Sequence, residues 1–307
     1  MPTFPSLSTS DRLDALTPPD GDVSVVVDTD AYNEIDDQFA LAYGLSAAGI
    51  DVEAVYAAPF HNDRSSGPGD GMAKSYAEIT RVVDRLGRDP ADGVFEGSTG
   101  YLDGPSDPVD SPAARDLVER ARGREGDDPL YVVAIGAPTN VASALLREPE
   151  IVEDVVVVWL GGTPHDWHTA EEFNLRQDVH ASRILFDSGV PLVHVPCRNV
   201  AEHLRISLPE LREYLDDGAL SSYLIEITES YFDERGHTGP VRSTVQWDVV
   251  PVAWLRNPDL VPTDVVHSPE LSSELTWNRD PGRQFVRVAR EIRRDAVWTD
   301  FFGSVRE

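Results

Sequence analysis

Five carboxylates lie close together near the start of the chain, directly after a valine-rich stretch at 23–27. Within the ten residues 28–37 these are Asp28, Asp30, Glu34, Asp36 and Asp37. Carboxylates packed this closely repel one another unless protons or a cation relieve the repulsion. Ca²⁺ accepts about 6–8 oxygen ligands in irregular geometry, whereas Mg²⁺ requires an octahedron and keeps more water. The cluster therefore predicts a site for a hard divalent cation, and the alternative is a helix N-terminus that carries acidic residues in an already acidic protein.

The hydrophobic pattern predicts the elements that would position this cluster. The stretch 23–27 is typical of a buried parallel strand, and Asp36 is expected to cap a helix that runs to about Ala48. Further strands are predicted at 52–58, 130–135, 155–160, 191–195 and 284–288, and amphipathic helices alternate with them. This alternation predicts an α/β fold, an open and mostly parallel sheet flanked by helices. Ligands of such sheets bind at the carboxyl ends of the strands, where the acidic cluster lies.

The chain of 307 residues is long enough for one large domain. Residues 1–22 are rich in Pro, Ser, Thr and Asp and are predicted to form a poorly ordered lead-in. No sharp change of composition follows, so residues 23–307 are predicted to form a single domain.

The overall charge excludes several classes of partner. The chain has 26 Lys+Arg against 54 Asp+Glu, a formal net charge of −28. Such a surface repels phosphate backbones and anionic lipids, so we expect neither a nucleic acid nor a membrane partner. No signal peptide is recognisable, the longest apolar run (155–160) is far shorter than the roughly 20 residues of a membrane span, and Cys197 is the sole cysteine. These features predict a cytoplasmic protein.

The basic residues are unevenly distributed between the two types, because Lys74 is the only lysine. Acid-rich, lysine-poor chains are typical of halophilic proteins, in which carboxylates keep the surface hydrated and salt screens their repulsion. The alternative is an ordinary acidic protein from a GC-rich genome.

Four later segments join the acidic cluster in an order that resembles a known family. The five segments are Asp28-x-Asp30 with Asp36-Asp37, Gly136-Ala-Pro-Thr139-Asn140, Val158-Trp-Leu-Gly161-Gly162, Glu172-Phe173-Asn174 with Asp178, and Trp247-Asp248. Each motif alone is weakly specific, but together, across roughly residues 23–260, they are similar to the inosine–uridine-preferring nucleoside hydrolases. The resemblance implies the nucleoside hydrolase fold, with a Rossmann-like core, and an assembly that is a homodimer or a homotetramer.

The resemblance also implies a reaction and a role for individual residues. The reaction is Ca²⁺-dependent hydrolysis of the N-glycosidic bond of a ribonucleoside or related riboside to base and ribose, as in purine or pyrimidine salvage. One Ca²⁺ per subunit would be held by the side chains of Asp30, Asp37 and Asp248 and by the backbone carbonyl of Thr139. Asp30 would also act as general base on a metal-bound water. The sugar would be held by Asp36, Asn62, Glu172 and Asn174.

Two features depart from the family pattern. Five residues, 31–35, separate Asp30 from Asp36, where the family usually has two or three; Asn33 and Glu34 could join the metal shell or line the sugar pocket, or the loop is simply longer. Trp247 stands where characterised members often carry a histidine that protonates the leaving base.

Tryptophan cannot supply a proton at neutral pH, but it can stack on a base. His165 and His168 are the favoured candidates for the missing acid, because they follow the Gly161-Gly162 turn. His61 and His237 are further candidates, and for all four the alternative is an ordinary surface or loop residue.

Two other functions are compatible with parts of the pattern. Haloacid-dehalogenase-like phosphatases also begin with an apolar strand and Asp-x-Asp, and they use Mg²⁺ and a lysine. Lys74 is the only lysine available, and it lies earlier in the chain than such enzymes require. The third hypothesis is a riboside-binding protein that has kept the pocket and lost turnover.

Overall fold

The computed structural model describes residues 3–124, 128–236, 239 and 241–306, which form twelve strands and eleven α-helices. The strands are β1 (Val23–Thr29), β2 (Ile50–Ala57), β3 (Val94–Phe95), β4 (Leu130–Ala134), β5 (Val155–Leu160), β6 (Leu192–Val195), β7 (Arg205–Ser207), β8 (Ser243–Val245), β9 (Thr263–His267), β10 (Glu270–Leu271), β11 (Trp277–Asn278) and β12 (Phe285–Ala289). The helices are α1 (Thr9–Ala15), α2 (Asp36–Ser46), α3 (Pro68–Arg85), α4 (Pro112–Arg122), α5 (Thr139–Arg147), α6 (Phe173–Gln177), α7 (Val179–Asp187), α8 (Leu208–Tyr214), α9 (Ala219–Glu234), α10 (Val249–Arg256) and α11 (Arg294–Val305).

Eight of these strands form one sheet in the order β3-β2-β1-β4-β5-β6-β12-β9. All neighbouring pairs are parallel except β12 and β9, which are antiparallel. The predicted open, mostly parallel sheet is therefore confirmed. The first six positions follow the strand order of the Rossmann fold, in which ligands bind at the crevice beside β1 where the order reverses.

The central strands are apolar along their whole length because helices cover both faces of the sheet. Successive β1 residues alternate between two apolar cores, with Val25 and Val27 in one and Val26 in the other. All six residues of β5 are buried. A strand buried on both faces needs no polar alternation, which explains the continuous valine runs. The two layers hold the ends of the strands in fixed positions around the crevice.

The segment 1–22, predicted to be a poorly ordered lead-in, contains the helix α1. Ser8 caps this helix by accepting a hydrogen bond from the Asp11 backbone N–H, and Arg12 donates to the Gly189 carbonyl at 2.7 Å. Leu16 is fully buried in the core. The composition of the segment conceals this order, since a buried leucine and long-range hydrogen bonds, from Arg12 to Gly189 and from Arg287 to Leu16, hold the helix against the domain. Within the part of the chain that the structure describes, every helix is too short or too polar to cross a membrane.

Candidate active site

The carboxyl ends of four neighbouring strands surround a cavity of about 320 Å³. Asp30 follows β1, Ile135 follows β4, Leu160 ends β5 and Cys197 follows β6. The cavity is lined by Asp30, Asn33, Glu34, Asp36, Asn62, Ile135, Leu160, Glu171, Glu172, Phe173, Asn174, Cys197, Arg198, Arg235, Trp247 and Asp248. It thus occupies the crevice that the sheet topology marks as a ligand site.

Buried carboxylates form the floor of this cavity, which Asp30, Asp36 and Asp248 line and behind which Asp37 completes the group. Asp36 and Asp37 lie in the first turn of α2, and Asp248 directly precedes α10, so the two helices deliver them to one point. One carboxylate oxygen from each of the three lies within 4.8 Å of the others, and the three residues are nearly inaccessible to solvent. Asp30 is also buried, and its Oδ2 has no hydrogen-bond partner among the described residues.

The electrostatics of this floor favour a cation. Burial raises the pKa of Asp30 well above its ordinary value, and the charges of Asp37 and Asp36 raise it further. Burial likewise raises the pKa of Asp36 and Asp248, each of which also repels its neighbours. The pKa of Asp37 is raised to about 7 by burial, although its hydrogen bond with Thr29 opposes the shift. An oxygen-only donor set with an unpartnered buried oxygen suits a hard divalent cation.

The three closest carboxylates differ by one member from the set that the family resemblance implies. Asp36 belongs to this group of three, whereas Asp30, a ligand in the implied set, does not. Thr139, the other implied ligand, begins α5, and its hydroxyl donates a hydrogen bond to Asp178 Oδ2 at 2.8 Å.

A glycine allows β4 to approach Asp30. A side chain at Gly136 would place its Cβ 3.2 Å from the Asp30 Cγ atom and 3.2 Å from the Ala58 side chain. Only a residue without a side chain fits this contact comfortably. The glycine of the Gly136-Ala-Pro-Thr139-Asn140 motif therefore helps to place the Asp30 carboxylate at the cavity floor.

Asn140 connects β1 to the neighbouring loops, although it was not among the predicted site residues. Its Nδ2 donates to Asp28 Oδ1 at 2.7 Å and to the Ala57 carbonyl at 3.2 Å. Its Oδ1 accepts from both the backbone N–H and the hydroxyl of Ser98, each at 2.8 Å. Asn140 thus fixes the strand end from which Asp30 extends.

We expect Asn140→Ala to lower the free energy of unfolding by about 3 kcal/mol, because it leaves several buried polar groups, Asp28 among them, without their partner. Chemical denaturation would measure the change. The control is Asn257→Ala, which removes an exposed cap of one turn and should cost about 1 kcal/mol or less. Equal losses for the two variants would contradict this role of Asn140.

Glu172 and Asn174 line the cavity and also hold its walls together. Glu172 caps α6, and its Oε2 accepts hydrogen bonds from the backbone N–H of Gly162 at 2.9 Å and of Leu175 at 3.3 Å. Asn174 Nδ2 donates to the carbonyl of Ile135 and of Leu160, the residues at the ends of β4 and β5. Gly162 adopts a φ of +63°, a conformation that favours glycine. The Gly-Gly turn and the Glu-Phe-Asn segment therefore form one unit.

The long loop between Asp30 and Asp36 forms part of the cavity wall. Asn33 and Glu34 both line the cavity, and Asn62 Nδ2 donates to Asn33 Oδ1 at 2.6 Å. Glu34 Oε1 lies 3.4 Å from Arg235 Nη2. Of the readings that the sequence left open, the structure supports a lining role for these two loop residues.

Trp247 lines the cavity beside the acidic floor. Its side chain is half-buried, and the guanidinium carbon of Arg198 lies 5.5 Å from the centre of its ring. A planar ring that enters the cavity would therefore meet an indole and a guanidinium group together.

Neither of the two favoured histidines lines the cavity. His165 Nε2 lies 2.9 Å from His194 Nδ1, and His194 Nε2 lies 2.7 Å from the Gly161 carbonyl. Since a carbonyl only accepts, His194 donates from Nε2, and His165 donates to its Nδ1; both rings are then neutral. Burial lowers the pKa of His165 well below its ordinary value, which agrees with this state.

His168 is exposed and is also absent from the lining, as is His61. His237 lies outside the described residues. The structure therefore brings the predicted acidic, amide and tryptophan side chains together, but not the predicted histidine acids.

Comparison with known proteins identifies the family of this chain. The family described as inosine-uridine preferring nucleoside hydrolase matches residues 69–299, about three quarters of the chain. The chain belongs to this family. It is therefore a hydrolase of the class that acts on N-glycosyl bonds. The match begins after the acidic cluster, so the cluster is supported by the geometry described above.

Individual nucleoside hydrolases resemble the chain in sequence or in structure. A pyrimidine-specific ribonucleoside hydrolase of Citrobacter koseri is 29% identical over 260 residues, which cover 74% of this chain and 78% of the relative. A solved plant nucleoside hydrolase has a TM-score of 0.74 at 19% identity, covering 92% of this chain and 98% of its own. A purine-preferring ribonucleoside hydrolase from Gardnerella vaginalis also has a TM-score of 0.74, at 20% identity and the same coverage. At these identities the two structures show the fold.

Membership of the nucleoside hydrolases disfavours the phosphatase hypothesis, and the position of Lys74 agrees. Lys74 Nζ donates to Asp70 Oδ2 at 2.9 Å and to the Arg64 carbonyl at 2.7 Å, and it does not line the cavity. It is thus engaged on the surface of α3, where it has no access to a group bound at the acidic floor.

Proposed function

We propose that this protein hydrolyses the N-glycosidic bond of a ribonucleoside or related riboside to base and ribose, and that it uses one Ca²⁺ per subunit. The main support is the group of buried carboxylates at the carboxyl ends of the strands, which shares one cavity with amide side chains and a tryptophan. Ca²⁺ would suit the group because its donors are all oxygens, the ligands that this cation accepts in varied arrangements.

Each residue of the floor has a proposed task. Asp30, Asp37, Asp248 and the Thr139 carbonyl would hold the cation, which polarises the attacking water and orients the sugar when it is bound. Asp30, which has an unpartnered oxygen, accepts the proton of the water as it attacks the anomeric carbon.

The sugar is held by residues on the cavity walls. Asp36, Asn62, Glu172 and Asn174 are proposed to bind the ribose hydroxyl groups. Fixing the ribose in this way places the anomeric carbon beside the water and removes much of the entropic barrier to reaction. The surrounding carboxylates also favour the positive charge that develops on the sugar ring in an oxocarbenium-like transition state.

The deciding experiment is an assay of the purified protein with inosine, uridine and p-nitrophenyl riboside, in Ca²⁺ and after chelation. Because the related enzymes are named for different bases, both a purine and a pyrimidine substrate are needed. Release of base that depends on Ca²⁺ supports the proposal. Tight binding without release would identify a riboside-binding protein, and turnover of p-nitrophenyl phosphate alone would identify a phosphatase.

We expect Trp247→Ala to raise KM for nucleosides by about 5- to 150-fold, since base–aromatic stacking contributes about 1–3 kcal/mol. The value of kcat should change much less. The matched control is Trp247→Phe, which keeps an aromatic face and should retain most of the affinity. A fall in kcat at unchanged KM would contradict the stacking role.

We further propose that the protein is adapted to high salt, as its composition indicates. In dilute buffer, unscreened repulsion among the 54 acidic residues should reduce stability. We expect the melting temperature to rise steadily with KCl concentration, measured by circular dichroism with Ca²⁺ held constant. Full stability in dilute buffer would favour an ordinary acidic protein. The cytoplasmic location and the dimeric or tetrameric assembly stay predictions, which cell fractionation and size-exclusion chromatography would test.

A further inference from the structure

Two cationic side chains line the cavity among the described residues, Arg198 and Arg235. Arg235 lies in an ion pair with Glu34 at 3.4 Å, on the side of the long loop. Arg198 lies in a different segment of the chain, the one that follows β6, and about half of its side chain is exposed. Arg198 is therefore the cationic group next to Trp247, at the solvent side of a cavity whose floor is acidic.

The chain holds Arg198 in a defined position. The next residue, Asn199, has a φ of +60°, and its backbone N–H donates to Glu202 Oε1 at 2.6 Å. Arg198 Nη1 lies 3.7 Å from Glu202 Oε2, and the guanidinium lies over the Trp247 ring. A tight turn, an ion pair and a cation–π contact thus restrict a side chain that would otherwise move freely on the surface.

No histidine among the described residues lines the cavity, so any of these residues that assists departure of the base acts without an imidazole. A departing heterocycle that is not protonated leaves as an anion, and its charge spreads onto any exocyclic oxygen conjugated with the leaving nitrogen. A guanidinium stays protonated at neutral pH and offers several N–H donors, which suits an oxygen that gains charge in the transition state.

We propose that Arg198 is a catalytic residue, which donates hydrogen bonds to an exocyclic oxygen of the leaving ring. This inference rests on the proposed hydrolase function and adds to it a residue that would favour ribosides of oxo-substituted heterocycles. The oxygen of water forms a bond to the anomeric carbon, and its proton passes to Asp30. The bond from that carbon to the ring nitrogen breaks, and the ring leaves with the electron pair. The anion then takes a proton from solvent water, and Asp30 returns its own to solvent.

The test compares Arg198→Met with the unaltered protein on two substrates that differ at one position. Inosine carries an exocyclic oxygen, and purine riboside has hydrogen at the same place. We expect kcat/KM for inosine and for uridine to fall by about 100-fold in Arg198→Met, as for loss of a donor to a developing oxyanion. The value for purine riboside should change by less than about 3-fold, because the guanidinium has no oxygen to contact. Arg198→Lys, which keeps the charge but has fewer donors, should lie between.

The control is Arg212→Met, which removes an exposed arginine that pairs with Glu229 and does not line the cavity. This variant should have the same kcat/KM as the unaltered protein for inosine, uridine and purine riboside. Equal losses on inosine and purine riboside would assign Arg198 a merely structural role and overturn the proposal. The substrate-dependent loss appearing in His237→Ala and not in Arg198→Met would also overturn it. Absence of turnover by the unaltered protein on every riboside would instead refute the proposed function on which the inference rests.

Discussion

Asp30→Asn is expected to lower kcat for nucleoside hydrolysis by about 10²- to 10⁴-fold, the range observed for loss of a general base. The asparagine amide has almost the same shape as the carboxylate and still presents an oxygen to the cavity, but it cannot accept a proton at neutral pH. Because Asp30 Oδ2 has no hydrogen-bond partner, the substitution removes no contact within the described residues at that atom. Folding should therefore be retained, as judged by circular dichroism.

The same residue is proposed to bind the cation, so two readouts are needed to separate its tasks. Calcium titration calorimetry gives the affinity, and the assay is repeated at calcium concentrations that saturate the variant. If the variant stays inactive at saturation, the loss belongs to proton transfer. The control is Asp166→Asn, an exposed carboxylate outside the cavity lining, which should behave as the unaltered protein. Near-normal turnover of saturated Asp30→Asn would contradict the proposed mechanism.

Continuous apolar runs made the central sheet predictable from the sequence. The run at 155–160 coincides with β5, and 130–135 exceeds β4 by one residue. Strands buried on both faces need only apolar residues, so their signal is local. The short pairs β7–β8 and β10–β11 were not predicted, because two- or three-residue strands are stabilised by distant partners such as Val245, the partner of Arg205.

The membership of the site was more predictable than its internal connections. Acidic and amide residues that end strands or begin helices can be predicted as site residues from their type and position alone. Asn140 and Arg198 became recognisable only in three dimensions, since the first contacts three separate chain segments and the second contacts Trp247. His165 had favourable spacing after the Gly-Gly turn, but an aromatic cluster with His194 and Trp277 holds it away from the cavity. Sequence distance to a turn does not determine the face on which a side chain packs.

Removal of the cation is expected to abolish turnover and to make stability depend steeply on pH. In the metal-free protein the pKa of Asp37 is raised from 3.8 to about 7 by burial. A carboxyl group whose pKa is raised by folding stabilises the fold while it is protonated, and this contribution is lost as the pH rises through the folded-state value. The loss is spread between the unfolded-state pKa of 3.8 and the folded-state value of about 7, and about 3 kcal/mol of it falls between pH 5 and pH 8. The chelated protein should therefore unfold more readily at pH 8 than at pH 5.

We expect calcium to reverse this dependence, because at the proposed site it would bind the ionised carboxylates and neutralise their repulsion. We expect Ca²⁺ to raise the melting temperature much more at pH 8 than at pH 5, where protons compete for the same oxygens. Asp37→Asn provides the matched variant, since its amide oxygen can still accept the hydrogen bond from Thr29 but carries no charge. In chelator it should be more stable than the unaltered protein at pH 8, with little difference at pH 5, and it should gain less from calcium. A calcium effect of equal size at both pH values would mean that the ion binds elsewhere on the acidic surface. Exposed carboxylates are already ionised at pH 5, so protons would not compete with calcium there. Only the buried carboxylates, whose pKa values are raised, make calcium binding depend on pH between 5 and 8.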